Sequence, residues 1–132
     1  MKALFNEEAE THGITVRVSV SYLPEQSEPG RGRWFWAYHI RIENHSPVTV
    51  QLLTRHWVIT DGRGARHSVE GEGVVGEQPL IAPGGSFDYV SGCPLATPAG
   101  NMQGTYRMIA EDGATFDVAI PKFALLAPAV AG

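Results

Sequence analysis

The residues with the most suggestive spacing are Gly71, Gly73 and Gly76, which form Gly-x-Gly-x-x-Gly within Gly71-Glu72-Gly73-Val74-Val75-Gly76-Glu77-Gln78-Pro79. In a dinucleotide-binding unit such glycines let a backbone turn approach a pyrophosphate at the start of a helix. Here no helix can open after Gly76, because Glu77-Gln78 runs into Pro79, and Pro83-Gly84-Gly85 follows at once. Glu70, Glu72 and Glu77 would also repel a phosphate. The reading these residues favour is a tight connection whose glycines supply positive φ. The valines are odd in such a turn, which ordinarily pairs glycine with polar residues. Val74 and Val75 must either fold under the loop or be presented to a partner. Presentation would make Gly71, Glu72, Gly73, Val74, Val75 and Gly76 a recognition surface, a small apolar spot with an acidic rim.

Other reactive side chains are scattered. His12, His39, His45, His56 and His67 form no His-x-His or His-x-x-x-His pair, and a closed zinc site wants four converging ligands. His39 and His56 could approach across paired strands. No metal site is expected. Cys93, the single cysteine, rules out an intramolecular disulfide and has no nucleophile signature around it. Ser91-Gly92 lacks the Gly-x-Ser-x-Gly elbow. No catalytic residue and no cofactor is expected.

The elements that hold these residues read as strands. Ile14, Val16, Val18, Val20 and Tyr22 alternate with polar residues, as do Trp34, Trp36, Tyr38, Ile40 and Ile42 against Phe35, Ala37, His39, Arg41 and Glu43. Val48–Leu53 with its extended continuation Arg55–Thr60, then Ala65–Val69, Ser86–Ser91, Met102–Ala110 and Thr115–Ile120 complete the set, separated by turn signals such as Asn44-His45-Ser46-Pro47, Asp61-Gly62-Arg63-Gly64 and Glu111-Asp112-Gly113. Residues 23–33 and 92–100 read as long loops. Seven or eight short strands without helical periodicity predict an all-β sandwich or small barrel. Trp57 is expected between the sheets, near Trp36, Tyr38, Ile40, Val18 and Phe87.

With 132 residues, 43% of them hydrophobic, the chain makes one domain. Residues 1–11 are expected to be flexible, 12–126 to form the sandwich and 127–132 to trail as a tail. The formal net charge of -4 gives no broad attraction for nucleic acid or an anionic membrane. The acidic start is unlike a signal peptide, and no apolar run is long enough to span a bilayer. The expectation is a cytoplasmic protein, a monomer or weak homo-oligomer.

Six strings, taken in order, resemble the bacterial ApaG family: Tyr22-Leu23-Pro24-Glu25-Gln26-Ser27, Ile42-Glu43-Asn44, Val50 through Asp61, Gly71 through Pro79, Ser91-Gly92-Cys93-Pro94-Leu95-Ala96-Thr97-Pro98, and Gly104-Thr105-Tyr106. The likeness runs over roughly residues 10–126. It implies an immunoglobulin-like, fibronectin type III β-sandwich. It also implies a link to cobalt resistance and magnesium efflux, and a non-enzymatic role in protein contact, since the same domain is appended to eukaryotic F-box proteins and to a polymerase-interacting protein. The alternative is a small-ligand binder for pyrophosphate, nucleotide or divalent metal. The resemblance supplies no catalytic residues.

Overall fold

The computed structural model describes residues 5–128. It contains nine strands: β1 (Glu7–Thr11), β2 (Ile14–Tyr22), β3 (Trp34–Asn44), β4 (Val50–Asp61), β5 (Arg66–Glu72), β6 (Leu80–Ile81), β7 (Ser86–Leu95), β8 (Ala99–Ala110) and β9 (Thr115–Leu126). Two antiparallel sheets, β1-β2-β3-β7 and β5-β4-β8-β9 with β6 also paired to β4, stack into an immunoglobulin-like sandwich.

The alternation explains the stacking. Ile14, Val16 and Val18 of β2, with Trp36, Tyr38, Ile40 and Ile42 of β3, face inward and are buried. Leu52 and Trp57 of β4, Tyr106 and Met108 of β8, and Val118 and Ile120 of β9 meet them from the other sheet. Trp57 is in the core as expected, 3% exposed, with its ring set against Tyr38 at 5.5 Å and Phe123 at 5.9 Å. One long side of the sandwich is closed by β9, which packs against both β1 and β2. The backbone N–H of Ala119 donates to Thr11 Oγ1 there.

Two expectations about elements change, at residues 7–11 and 92–100. Glu7–Thr11 is a strand, because its backbone completes the ladder of β2 while its acidic side chains stay in water. Residues 1–4 and 129–132, the remainder of the expected flexible ends, lie outside the described residues. Arg55–Thr60 continues the extended chain of Val48–Leu53, as expected, within the single strand β4, with a register shift between Leu52 and Thr54. The expected loop at 92–100 is mostly strand: β7 runs through Pro94 to Leu95. β7 is an edge strand, where a missing N–H can face solvent instead of breaking a ladder. Residues 23–33 do form a connection, tightened by 3-10 turns at Pro24–Gln26 and Pro29–Arg31. Ser27 ties it to the sheet, its hydroxyl donating to Leu23 O and accepting from Phe35 N.

On the outer face of the first sheet, Glu43 gathers Arg17, Arg41 and His45 at 2.9–3.2 Å. Burial raises the Glu43 carboxyl, but His45, Arg17 and Arg41 outweigh it and hold it below the ordinary value of 4.5. A carboxyl depressed in the folded state contributes stability above its unfolded value and loses it as pH falls through the folded one. In urea melts at stepped pH, the stability gap between wild type and Glu43→Gln is therefore expected to narrow as the pH falls below about 4.5. A gap unchanged down to acid would show that Glu43 acts there only by its shape.

Candidate functional site

The glycine motif owes its shape to β4. The backbone from Arg66 to Ile81 runs antiparallel along that strand, β5 pairing with Thr54–Thr60 and β6 with Val50–Gln51. At the register shift the two lengths do not join, and residues 73–79 are pushed out as a small hairpin. Leu53, the unpaired residue of β4, anchors it: its carbonyl accepts from Gly73 N at 2.8 Å and from Gln78 Nε2 at 2.9 Å. Leu52 N donates to Pro79 O at 3.1 Å.

Within the hairpin Val74 and Glu77 exchange backbone hydrogen bonds of 2.8 and 2.9 Å, leaving Val75-Gly76 as a two-residue tip. Both tip residues have positive φ, 43° for Val75 and 80° for Gly76. That is the pattern of a type I′ turn, which matches the twist of the flanking strands. Gly73, at φ 61°, is obligatory: a Cβ there would stand 2.1 Å from Glu77 O. Gly71 is extended, and its reason is close approach. A Cβ would sit within 2.9 Å of the Arg55 guanidinium, which lies across it and donates through Nη1 to Glu72 O and Gly73 O.

The six residues singled out by sequence thus separate. Gly71 and Glu72 end β5, Gly73 and Val74 are buried, and only Val75 and Gly76 form the exposed tip. Val74 is 1% exposed and joins the core, whereas Val75 is 55% exposed. The two valines were expected to share one fate; a two-residue turn sends them to opposite sides. Three of the loop's amides, those of Gly73, Val74 and Glu77, are spent on internal carbonyls and do not point at a ligand.

Beside the hairpin lies a feature the glycine spacing gave no sign of. β5 and β7, the free edges of the two sheets, are separated by a cleft of about 420 Å³. Arg55, Trp57 and Ile59 line it from β4, Val69 and His67 from β5, and Tyr38, Ser91 and Cys93 from the opposite sheet. The signal was present in period 2: Arg55 shares the inward face of Trp57, so its charge points between the sheets. Behind it the buried hydroxyls of Tyr89 and Tyr106 hydrogen-bond to each other. Burial raises the phenols of Tyr38, Tyr89 and Tyr106, with Arg55 pulling each slightly back. Burial also pushes the Cys93 thiol up to about 11, the opposite of an activated nucleophile.

His39 and His56 do not meet. His39 lies on the outer face of β3, 2.9 Å from Asp88, and His56 on the outer face of β4, 3.7 Å from Glu70. They belong to different sheets, so the pairing allowed by the sequence is corrected. Among the described residues no three His, Cys, Asp or Glu side chains converge on a point that could hold a metal. No helix among them is long and apolar enough to cross a membrane.

Residues 24–110 match the family model of the ApaG domain. A "Protein ApaG" from Afipia carboxidovorans is 55% identical over 120 residues, covering 91% of this chain and 92% of that protein. One from Pseudomonas aeruginosa is 55% identical over 117 residues, covering 89% and 93%. The crystal structure of a protein from Bordetella pertussis titled putative ApaA superposes with a TM-score of 0.85 at 48% identity, covering 89% of this chain and 95% of that one. The C-terminal domain of wzt, at 10% identity and a TM-score of 0.56, shares the fold alone. The relatives match along nearly their whole length and at high identity, and the chain belongs to the ApaG domain family.

Proposed function

We propose that the protein is a non-enzymatic interaction module that engages a partner protein through the tip of the Gly71–Pro79 hairpin. The observation that carries this is Val75. A β-branched residue at positive φ is a true outlier, and strain of this kind costs on the order of 1–3 kcal/mol. It is tolerated here because the bulge at Leu53, the Arg55 clamp and buried Val74 fix the hairpin around it. Glycine or asparagine would fill the position at less cost. A strained valine standing in solvent makes sense if its isopropyl group is what a partner reads. Exposed Glu72 and Glu77 flank it and suit a shallow apolar pocket edged by Lys or Arg. A link to cobalt resistance and magnesium efflux, which the resemblance to the ApaG family implies, is the cellular context in which we propose to seek the partner.

The two valines separate binding from folding. Val75→Asn is expected to melt at or above the wild-type temperature, because asparagine relieves the left-handed strain, yet to lose a protein that wild type captures by cross-linking in its native cell. Val74→Asp is expected to lose several kcal/mol, because an unpaired carboxylate enters the core. If Val75→Asn captures the same set of proteins as wild type, the hairpin tip is not the contact.

A further inference from the structure

We infer that the cleft between β5 and β7 is a binding site for a small organic carboxylate with an apolar or aromatic body, held by Arg55. The inference does not depend on the hairpin tip being a partner contact.

Among the described residues, Arg55 differs from the other half-buried arginines in having no counter-charge. Three arginines among the described residues are half-buried: Arg17, Arg41 and Arg55. Arg17 and Arg41 both face Glu43. Arg55 has no carboxylate within ion-pair distance among the described residues, although Glu70 and Glu72 lie on the neighbouring strand. Its Nη1 is engaged by two carbonyl oxygens, which satisfy hydrogen bonds without neutralising the charge. A guanidinium has five N–H donors in a planar fork, so capacity for an anion is left over. The carbonyls and Gly71 fix the plane of that fork, and so the site is organised before a ligand arrives.

The rest of the cleft specifies the body of the ligand. Beyond Arg55 the walls are Trp57, Ile59, Met102, Leu95 and Val69. The volume falls within the range of small-molecule sites, and apolar walls with a few fixed polar groups are their usual make-up. The hydroxyls of Tyr38 and Ser91, which also line the cleft, supply further polar atoms. At the far end stands Asp61, roughly 20 Å along β4 from Arg55 at the rise of a strand. Its carboxylate is occupied by the amides of Arg63 and Ala65 and would repel a second negative group. One anionic head beside Arg55 and an uncharged body along Trp57 is the arrangement that fits.

The test is an amide-shift titration of the ¹⁵N-labelled protein with phenylacetate, phenylacetamide and inorganic phosphate. Phenylacetate is expected to give saturable shifts at Val69 and Ser91–Cys93. Phenylacetamide, with the same ring and no charge, is expected to bind roughly tenfold more weakly or worse, the size of a lost charged hydrogen bond. Phosphate, with charge and no ring, is expected to leave those amides unsaturated. Arg55→Met should remove the preference of acid over amide. Because that change also loosens the hairpin, Val69→Trp serves as a second variant: it fills the cleft with Arg55 left in place, and phenylacetate binding should vanish. The inference is overturned if phenylacetate produces no saturable shifts, if the amide binds as well as the acid, if phosphate saturates the same amides equally, or if Val69→Trp binds phenylacetate like wild type.

Discussion

Trp57→Ala is expected to lower the stability of the sandwich by about 3–5 kcal/mol, the usual cost of deleting a large aromatic side chain from a core. That is a large part of the roughly 5–15 kcal/mol that holds a domain of this kind together. Trp57 sits where the two sheets and the cleft meet. Its ring packs edge-on to Tyr38 of the first sheet and to Phe123 of β9 in its own sheet, so its loss unseats both. Little nearby can fill the space, because β5 on that side scarcely covers it: Val69, paired with Trp57, is itself 40% exposed. Chemical denaturation should show a midpoint far below wild type, with the Arg55 hairpin destabilised along with the core. A variant melting within a few degrees of wild type would show that Trp57 is not a keystone of the packing.

Asn44→Ala is expected to cost about 2–4 kcal/mol, because it removes a buried amide whose donor and acceptor atoms are both engaged. Asn44 is fully buried at the end of β3. Its Nδ2 donates to Val48 O at 2.8 Å and Ile81 O at 2.9 Å, and its Oδ1 accepts from the amide and hydroxyl of Ser46. One side chain thereby fastens the first sheet to β6 of the second and shapes the turn that leads into β4. Alanine takes the amide donor from the carbonyls of Val48 and Ile81, leaving the former to the Ser46 hydroxyl at 3.0 Å, and aspartate would face them with a carboxylate and do worse. Parallel melts of the Ala, Asp and Ser variants check this; Asn44→Ala at wild-type stability would mean that solvent enters the site freely.

Asn44 also illustrates how far the sequence could be read. As Asn44-His45-Ser46-Pro47 it signals a turn, and a turn is there, but the motif does not tell that the asparagine is the buried member. The sandwich itself was legible because strand periodicity is local: Trp36, Tyr38, Ile40 and Ile42 announce an inward face with no knowledge of the partner sheet. Trp57 was legible for the same reason. The glycine motif was legible as a turn with positive φ, which holds at Gly73 and Gly76. Gly71 is there for another reason, the Arg55 guanidinium lying across it, and a contact between residues 16 apart has no local signature. The opposite fates of Val74 and Val75 depend on the bulge at Leu53, which is a property of how β4 pairs with β8. Pro94 misled because a proline's effect on a strand depends on whether the strand is an edge. The cleft escaped notice because it is made by the distance between two edges.

That distance has a kinetic side. One flank of the sandwich is stitched by β9 against β1 and β2, while β5 and β7 on the other flank scarcely touch. Thermal opening will therefore not be uniform; local unfolding proceeds where few buried contacts must be broken. The β1–β9 seam acts as the spine of a book, and β5, exposed along nearly its whole length, is the page that lifts. Arg55 grips the carbonyl of Glu72 at the end of β5 and that of Gly73 just beyond it, so each lifting would unclasp the hairpin tip and widen the cleft in the same excursion. A ligand lodged against Arg55 would hold the page down and quiet the tip, and a partner gripping the tip would narrow the cleft mouth. With both occupied, the two surfaces would be coupled through the breathing of a single edge strand.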